Sequence, residues 1–160
     1  MAAHKFLLQG LREEESHYDS IRYVLSLPHA EKCIISSAFV TLRGVLAIRD
    51  EIAALKDIAT VFVGVRNDIT SMQALKLLLE IGINPICVDT ATQSFIFHPK
   101  IYLTSCRTAA RFSVGSANLT SGGLARNIES SISIDLDMAI KEDKCMVDSV
   151  FASFLELKNA

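Results

Sequence analysis

The apolar positions of the chain alternate between two patterns. Short unbroken runs rich in β-branched residues stand at Lys32–Val40 (KCIISSAFV), Ile58–Val65 (IATVFVGV) and Ile83–Val88, and each predicts a strand buried on both faces. Between them the apolar residues recur at helical spacing. A short helix is predicted after a cap at Asp19-Ser20, with Ile21, Val24 and Leu25 on one face and Pro28 ending it. A second, capped by Thr41, turns Leu42, Val45, Leu46 and Ala53 inward, and a third, Thr70–Ile81, stops at Gly82. Strand alternating with helix predicts an α/β layer with a largely parallel sheet in the first half.

After residue 90 the rhythm changes. Strand-like runs at Ser94–Thr104, Ala110–Val114 and Asn127–Asp135 follow one another without a long helix between them. A loop rich in Gly, Ser, Asn and Thr, Gly115–Gly123, separates the last two. The closing segment, Ala139–Leu157, places Val147, Val150, Phe151, Phe154 and Leu155 at helical spacing, a stripe suited to core packing. No repeat, low-complexity tract or linker interrupts the sequence, and 160 residues suit one domain with its own core.

Composition narrows the class. Half of the residues are hydrophobic, which excludes a disordered chain. Four cysteines (Cys33, Cys87, Cys106, Cys145) at long, irregular spacings form no zinc pattern, so buried free thiols in a reducing compartment are expected. Phe6–Leu8 is soon followed by Arg12 and Glu13-Glu14-Glu15, unlike a signal peptide, and no apolar stretch is long enough to span a membrane. These features predict a soluble cytoplasmic protein. A net charge of −2 argues against a polyanionic partner, yet from Thr90 to Ile128 there is no Asp or Glu, while Lys100, Arg107, Arg111 and Arg126 all fall there. A locally basic region of this kind is compatible with nucleic acid.

The candidate chemistry lies in the same segment. In a strand, His98 and Lys100 of Phe97-His98-Pro99-Lys100 would project to one face. An imidazole and an ammonium side by side repel when both are charged, and the pairing makes sense around an anion. Lysine would neutralise phosphate oxygens, and a neutral imidazole could attack phosphorus. An isolated H-x-K is most often accidental. Here Gly115-Ser116-Ala117-Asn118 follows after one strand, its glycine freeing the backbone to approach a ligand and Ser116 and Asn118 offering hydrogen bonds. Asn127-Ile128-Glu129 then supplies a carboxylate that could accept the second N–H of His98 and fix its tautomer.

With these motifs the run Phe97–Ser133 resembles the phospholipase D superfamily, whose signature is H-x-K followed by G-S-x-N. The forms HPKIYL and VGSANLTSGGLARNIES resemble its nuclease branch of small endonucleases, metal-independent restriction enzymes and helicase-linked domains. The segment Ser36-Ser37-Ala38-Phe39, between a strand and a helix, is also in the family's style. One position departs: the Asp that often follows the lysine by five residues is Ser105 here. The resemblance implies a phospholipase D-like α/β fold, a mixed central sheet with helices on both faces. It also implies a site of His98, Lys100, Ser116, Asn118 and Glu129 needing no metal or cofactor.

By that family's chemistry one histidine attacks phosphorus, forming a phosphohistidine, while a second protonates the leaving oxygen. The chain has a single H-x-K, since His4, His17 and His29 have no lysine two positions on. The resemblance therefore implies half of a composite site, completed in a homodimer. The expected function is metal-independent phosphodiester cleavage of DNA. Two alternatives stand beside it: a non-catalytic, nucleic-acid-binding or targeting domain of a larger helicase or restriction enzyme, and phospholipid hydrolysis or transfer. The last would require an interfacial apolar surface.

Overall fold

The computed structural model describes residues 3–11, 16–66, 68–92 and 94–159. Seven strands form its centre: β1 (Ala3–Gln9), β2 (Lys32–Ser37), β3 (Ala59–Gly64), β4 (Ile86–Val88), β5 (Ile101–Ser105), β6 (Ala109–Gly115) and β7 (Glu129–Asp137). They join one sheet in the order β1-β7-β6-β5-β2-β3-β4. It is parallel across β2, β3 and β4 and antiparallel elsewhere. Helices α1 (His17–Leu25), α2 (Leu42–Ala47), α3 (Arg49–Ala54) and α4 (Met72–Ile81) pack on one face, and α5 (Lys141–Asn159) lies across the other. The mixed sheet with helices on both faces is thus the architecture expected from the sequence.

Burial explains the unbroken apolar runs. In β2, Cys33 and Ile35 point into the α1–α4 layer while Ile34 packs with Phe62 and Phe154 under α5. Both faces are covered, so the strand needs no polar alternation. The stripe on α5 works as expected: Val147 and Phe154 are buried, Val150 and Phe151 pack against the same clusters, and only Leu155 is left exposed.

Several elements differ from the sequence-based expectation. Helix α1 begins at His17, because Ser16 is its cap: Ser16 Oγ accepts from the Asp19 N–H and donates to the Asp19 carboxylate. Thr41 caps α2 as expected, but the predicted single helix breaks at Ile48, and its inward face is Val45, Ile48 and Ile52. Leu42 and Leu46 face outward. Gly44 sets that rotation, since a Cβ there would lie 2.1 Å from the Leu119 carbonyl oxygen, so only glycine lets α2 sit on the chain at Leu119. Helix α4 is capped by Ser71 and closed by Gly82 in the left-handed region, while β4 is shorter than the predicted run. Strand β5 starts only at Ile101, leaving His98 and Lys100 on the approach to the strand. The predicted loop after Gly115 ends in a π-helical turn, Gly122–Arg126. Strand β1, at the sheet edge, was not anticipated at all.

All four cysteines are free thiols, but only Cys33 is buried; Cys87 and Cys145 are exposed and Cys106 is half-buried. Among the described residues no helix is long and apolar enough to cross a membrane. The tight seating of α2 gives a direct stability test. Gly44→Ala is expected to cost about 2–3 kcal/mol by overpacking, read as a lower midpoint in urea unfolding; an unchanged midpoint would show that the contact with Leu119 is not constraining.

Candidate active site

The carboxyl ends of the parallel strands β2 and β3 lie at one edge of the sheet, the position where open α/β sheets bind ligands. The amino end of β5, the carboxyl end of β6 and the amino end of β7 meet at the same edge, because these strands run antiparallel to their neighbours. All five residues singled out in the sequence come to this edge.

Lys100 is buried at 6% exposure. Its ammonium donates to the His98 carbonyl oxygen at 2.9 Å and lies 2.5 Å from His98 Nδ1 and 3.0 Å from Nε2. An ammonium can donate to an imidazole only through a ring nitrogen without a proton, so this contact disfavours the charged ring. Burial lowers the His98 pKa below its ordinary value, and the Lys100 charge lowers it further. Burial also lowers the Lys100 pKa, opposed by the charge of Glu129. Phe39, from the turn after β2, meets the imidazole edge-on with ring centroids 5.7 Å apart. The two side chains thus come together as the spacing implied, although just outside the strand.

Asn118 is aimed by the turn after β2. Its Oδ1 accepts from the Phe39 backbone N–H at 3.1 Å, with Ser37 Oγ 3.5 Å away. With the oxygen turned toward those donors, the Nδ2 donors have no hydrogen-bond partner among the described residues. Ser37 also donates to the Phe39 carbonyl and accepts from the Leu119 N–H. Buried Tyr102 supports the same loop by donating to the Ala117 carbonyl at 3.2 Å. Ser37 and Phe39 therefore hold the G-S-x-N loop.

Glu129 is buried at the start of β7. Its carboxylate accepts from Ser116 Oγ and, at 3.1 Å, from Asn127 Nδ2. The expectation that Glu129 orients His98 is not met within one chain: its hydrogen bonds go to Ser116 and Asn127. Gly115 also differs from expectation. A Cβ there would lie 2.2 Å from the Ser130 carbonyl oxygen, so the glycine serves close pairing of β6 with β7 rather than room for a ligand. Ser105 stands at the far end of β5, where its carbonyl accepts from the Glu31 N–H, so the family's missing Asp leaves this edge untouched.

The acid-free segment is not one basic patch. Arg111 stacks on Tyr23 with 3.8 Å to the ring centroid, and Arg107 lies in the β5–β6 turn at the opposite end of the sheet. Lys100 is at the site edge, and Arg126 ends the π-helical turn beside Asn127. Arg66, not singled out in the sequence, follows β3 and lines a hollow with Phe39 and Phe97. It pairs with Asp89 at 3.4 Å and donates to the Thr92 carbonyl at 2.6 Å. Its signal was its place just past a parallel strand. Among the described residues no group of three His, Cys, Asp or Glu is placed to hold a metal ion.

This architecture is the phospholipase D-like fold. No family model matches the chain, and no curated protein matches it by sequence. Among solved structures it is similar to NucT from Helicobacter pylori, with 16% identity, a TM-score of 0.63, and 98% of this chain and 97% of that one covered. It is also similar to Nuc from Salmonella typhimurium, a phospholipase D family member, with 16% identity and a TM-score of 0.60 over 99% and 93% of the two chains. Yeast tyrosyl-DNA phosphodiesterase shares the fold over 84% of this chain and 32% of its own, with 14% identity and a TM-score of 0.52.

The electrostatics of the pair can be tested without any substrate. By NMR titration His98 is expected to lose its proton below the ordinary histidine value of 6.5. Lys100→Met removes a charge that disfavours imidazolium, so the titration is expected to move upward. A downward shift or no shift would show that the two side chains do not interact.

Proposed function

We propose that the chain is a metal-independent phosphodiesterase that cuts DNA through a phosphohistidine, with residues 1–160 acting as one domain and one half of a site shared by two copies. The observation that carries this reading is the His98 imidazole, its pKa lowered, held against the buried Lys100 ammonium. An ammonium and the Asn118 amide are suited to phosphoryl oxygens, and the neutral imidazole is suited to attack phosphorus. The likeness to yeast tyrosyl-DNA phosphodiesterase supports a phosphodiester of DNA as the substrate. Cytoplasmic residence belongs to the same reading, and four free thiols fit a reducing compartment.

In the first step a nitrogen of His98 forms a bond to phosphorus as the bond to the leaving oxygen breaks. That oxygen takes a proton from the partner's His98. In the second step the partner's His98, now neutral, takes a proton from water as the water oxygen displaces the first histidine from phosphorus. The cycle needs one neutral and one protonated imidazole, which gives a bell-shaped dependence of rate on pH.

The second copy has a surface suited to it. Phe6, Ile132, Val114 and Ile101 form one row across β1, β7, β6 and β5, on the face that carries α5. Phe6 (64%), Ile132 (46%) and Val114 (38%) are exposed, and Ile128, next to Glu129, is exposed as well. No charged residue stands in the row, so two copies related by a two-fold axis would meet there without like-charge repulsion.

With EDTA present, the purified protein is expected to cleave plasmid or single-stranded DNA, and His98→Ala to lose about a thousandfold or more of that activity. Strict dependence on a divalent ion would overturn the reading, and DNA retention without cutting would point to a binding domain. Ile132→Glu is expected to yield a monomer by sedimentation and to lose cleavage with it. A variant that stays dimeric and active but no longer binds anionic lipid vesicles would assign the apolar row to a lipid surface.

A further inference from the structure

The N-terminal strand carries a side chain that no part of this mechanism uses, yet it is among the most buried polar groups in the protein. Gln9, at 1% exposure, ends β1 directly opposite Glu129 in the β1–β7 register. Its Oε1 accepts from the His17 backbone N–H at 2.8 Å and lies 3.2 Å from His17 Nδ1. Its Nε2 donates to the carbonyls of Gly123 at 3.1 Å and Asn127 at 3.0 Å, with Gly122 at 3.5 Å. The amide orientation follows from these partners, since a backbone N–H needs the oxygen and carbonyls need the nitrogen. A glutamine with both ends satisfied in this way is a rigid bracket, because releasing either end would strand buried polar groups.

The bracket holds three points of the chain, the last two contiguous in sequence. One is the first turn of α1, where His17 is fully buried and burial lowers its pKa, with Glu129 opposing. For a neutral His17 to donate to Gln9, Nδ1 must carry the proton. Its Nε2 is then a buried acceptor and, like the buried Ser131 hydroxyl, has no hydrogen-bond partner among the described residues. The second piece is the π-helical turn Gly122–Arg126. The third is Asn127, whose side chain donates to Glu129, which in turn accepts from Ser116. A continuous line of hydrogen bonds therefore runs from His17 through Gln9 and Asn127 to Glu129 and Ser116. None of its first three members reaches the H-x-K pair.

We infer that Gln9, held by His17, is a positioning residue that fixes the Glu129 carboxylate through Asn127. It acts on the chemistry only by deciding where that carboxylate stands relative to Ser116 and to the Lys100 charge. The inference rests on the proposed phosphodiesterase reading for its kinetic consequence, while its structural content stands apart from that reading.

The test is a double-mutant cycle on the full chain, with bis(p-nitrophenyl) phosphate and plasmid as substrates in EDTA, joined to NMR of the side-chain amides. Gln9→Leu keeps the volume and removes both sets of hydrogen bonds; it is expected to lower kcat about tenfold to a hundredfold with KM little changed. In a Glu129→Gln background the same substitution is expected to add almost nothing, because its effect passes through the carboxylate. In spectra of Gln9→Leu the Asn127 side-chain amide should move toward the position of a free amide while core methyl signals stay in place. Should Gln9→Leu fail to fold, His17→Gln, which preserves the backbone donor but not the ring contact, serves in its place with a smaller shift of the same amide. Additive losses in the cycle, or an unmoved Asn127 amide in a folded variant, would overturn the inference. If the wild-type protein cleaves neither substrate, the phosphodiesterase reading fails, and the amide signal alone decides whether the bracket positions Glu129.

Discussion

A lysine ammonium taken out of water at the end of a β-sheet has to be compensated, and much of the site can be understood as that compensation. A buried charge is costly unless polar or oppositely charged groups surround it. Lys100 finds the His98 carbonyl and imidazole within reach, and the charge of Glu129 favours its protonated form. Partial desolvation and the Lys100 charge both lower the pKa of the neighbouring imidazole, which itself stays open to solvent. In the proposed reading the pair would be a phosphate site prepared in advance, with the electrostatic cost of assembling it met by folding rather than by binding.

The remaining parts serve to hold this pair and its surroundings in register. Strands β5 and β6 bring Lys100 beside Gly115, and β7 brings Glu129 to Ser116. The turn after β2 turns the Asn118 amide by its own backbone N–H and by Ser37. These supports come from segments far apart in the chain, yet each meets the site at the same sheet edge. That is the consequence of a strand order in which the parallel and antiparallel halves share β2 and β5 as neighbours.

The degree to which this was legible in the sequence follows the range of the interaction responsible. Buried strands such as β2 and β3 announce themselves through local composition, and α4 through its periodicity and Gly82. His98, Lys100, Ser116, Asn118 and Glu129 were visible because their spacing matches a known pattern, and the structure gathers them at one edge. Strand β1 was not visible: its exposed Phe6 and buried Leu7 show no lasting alternation, and it is a strand only because β7 lies beside it, Gln9 opposite Glu129. Gln9 and His17 were missed for the same reason, as each is satisfied by partners distant in sequence or by a neighbour whose position depends on them. The outward rotation of Leu42 and Leu46 was hidden in Gly44, whose contact is with a loop some seventy-five residues later. The failed expectation for Glu129 was one of partner: the carboxylate was recognised, but its bonds to Ser116 and Asn127 depend on how β7 starts.

The claim on which everything else depends is that His98 itself becomes bonded to phosphorus. The most direct measurement is mass spectrometry of protein quenched at alkaline pH during turnover of a DNA substrate in EDTA, conditions that preserve a phosphorus–nitrogen bond. A nucleotide adduct on the peptide containing His98, absent in His98→Ala, is the expected result. Turnover with an adduct on another residue, or cleavage by His98→Ala at the wild-type rate, would contradict it.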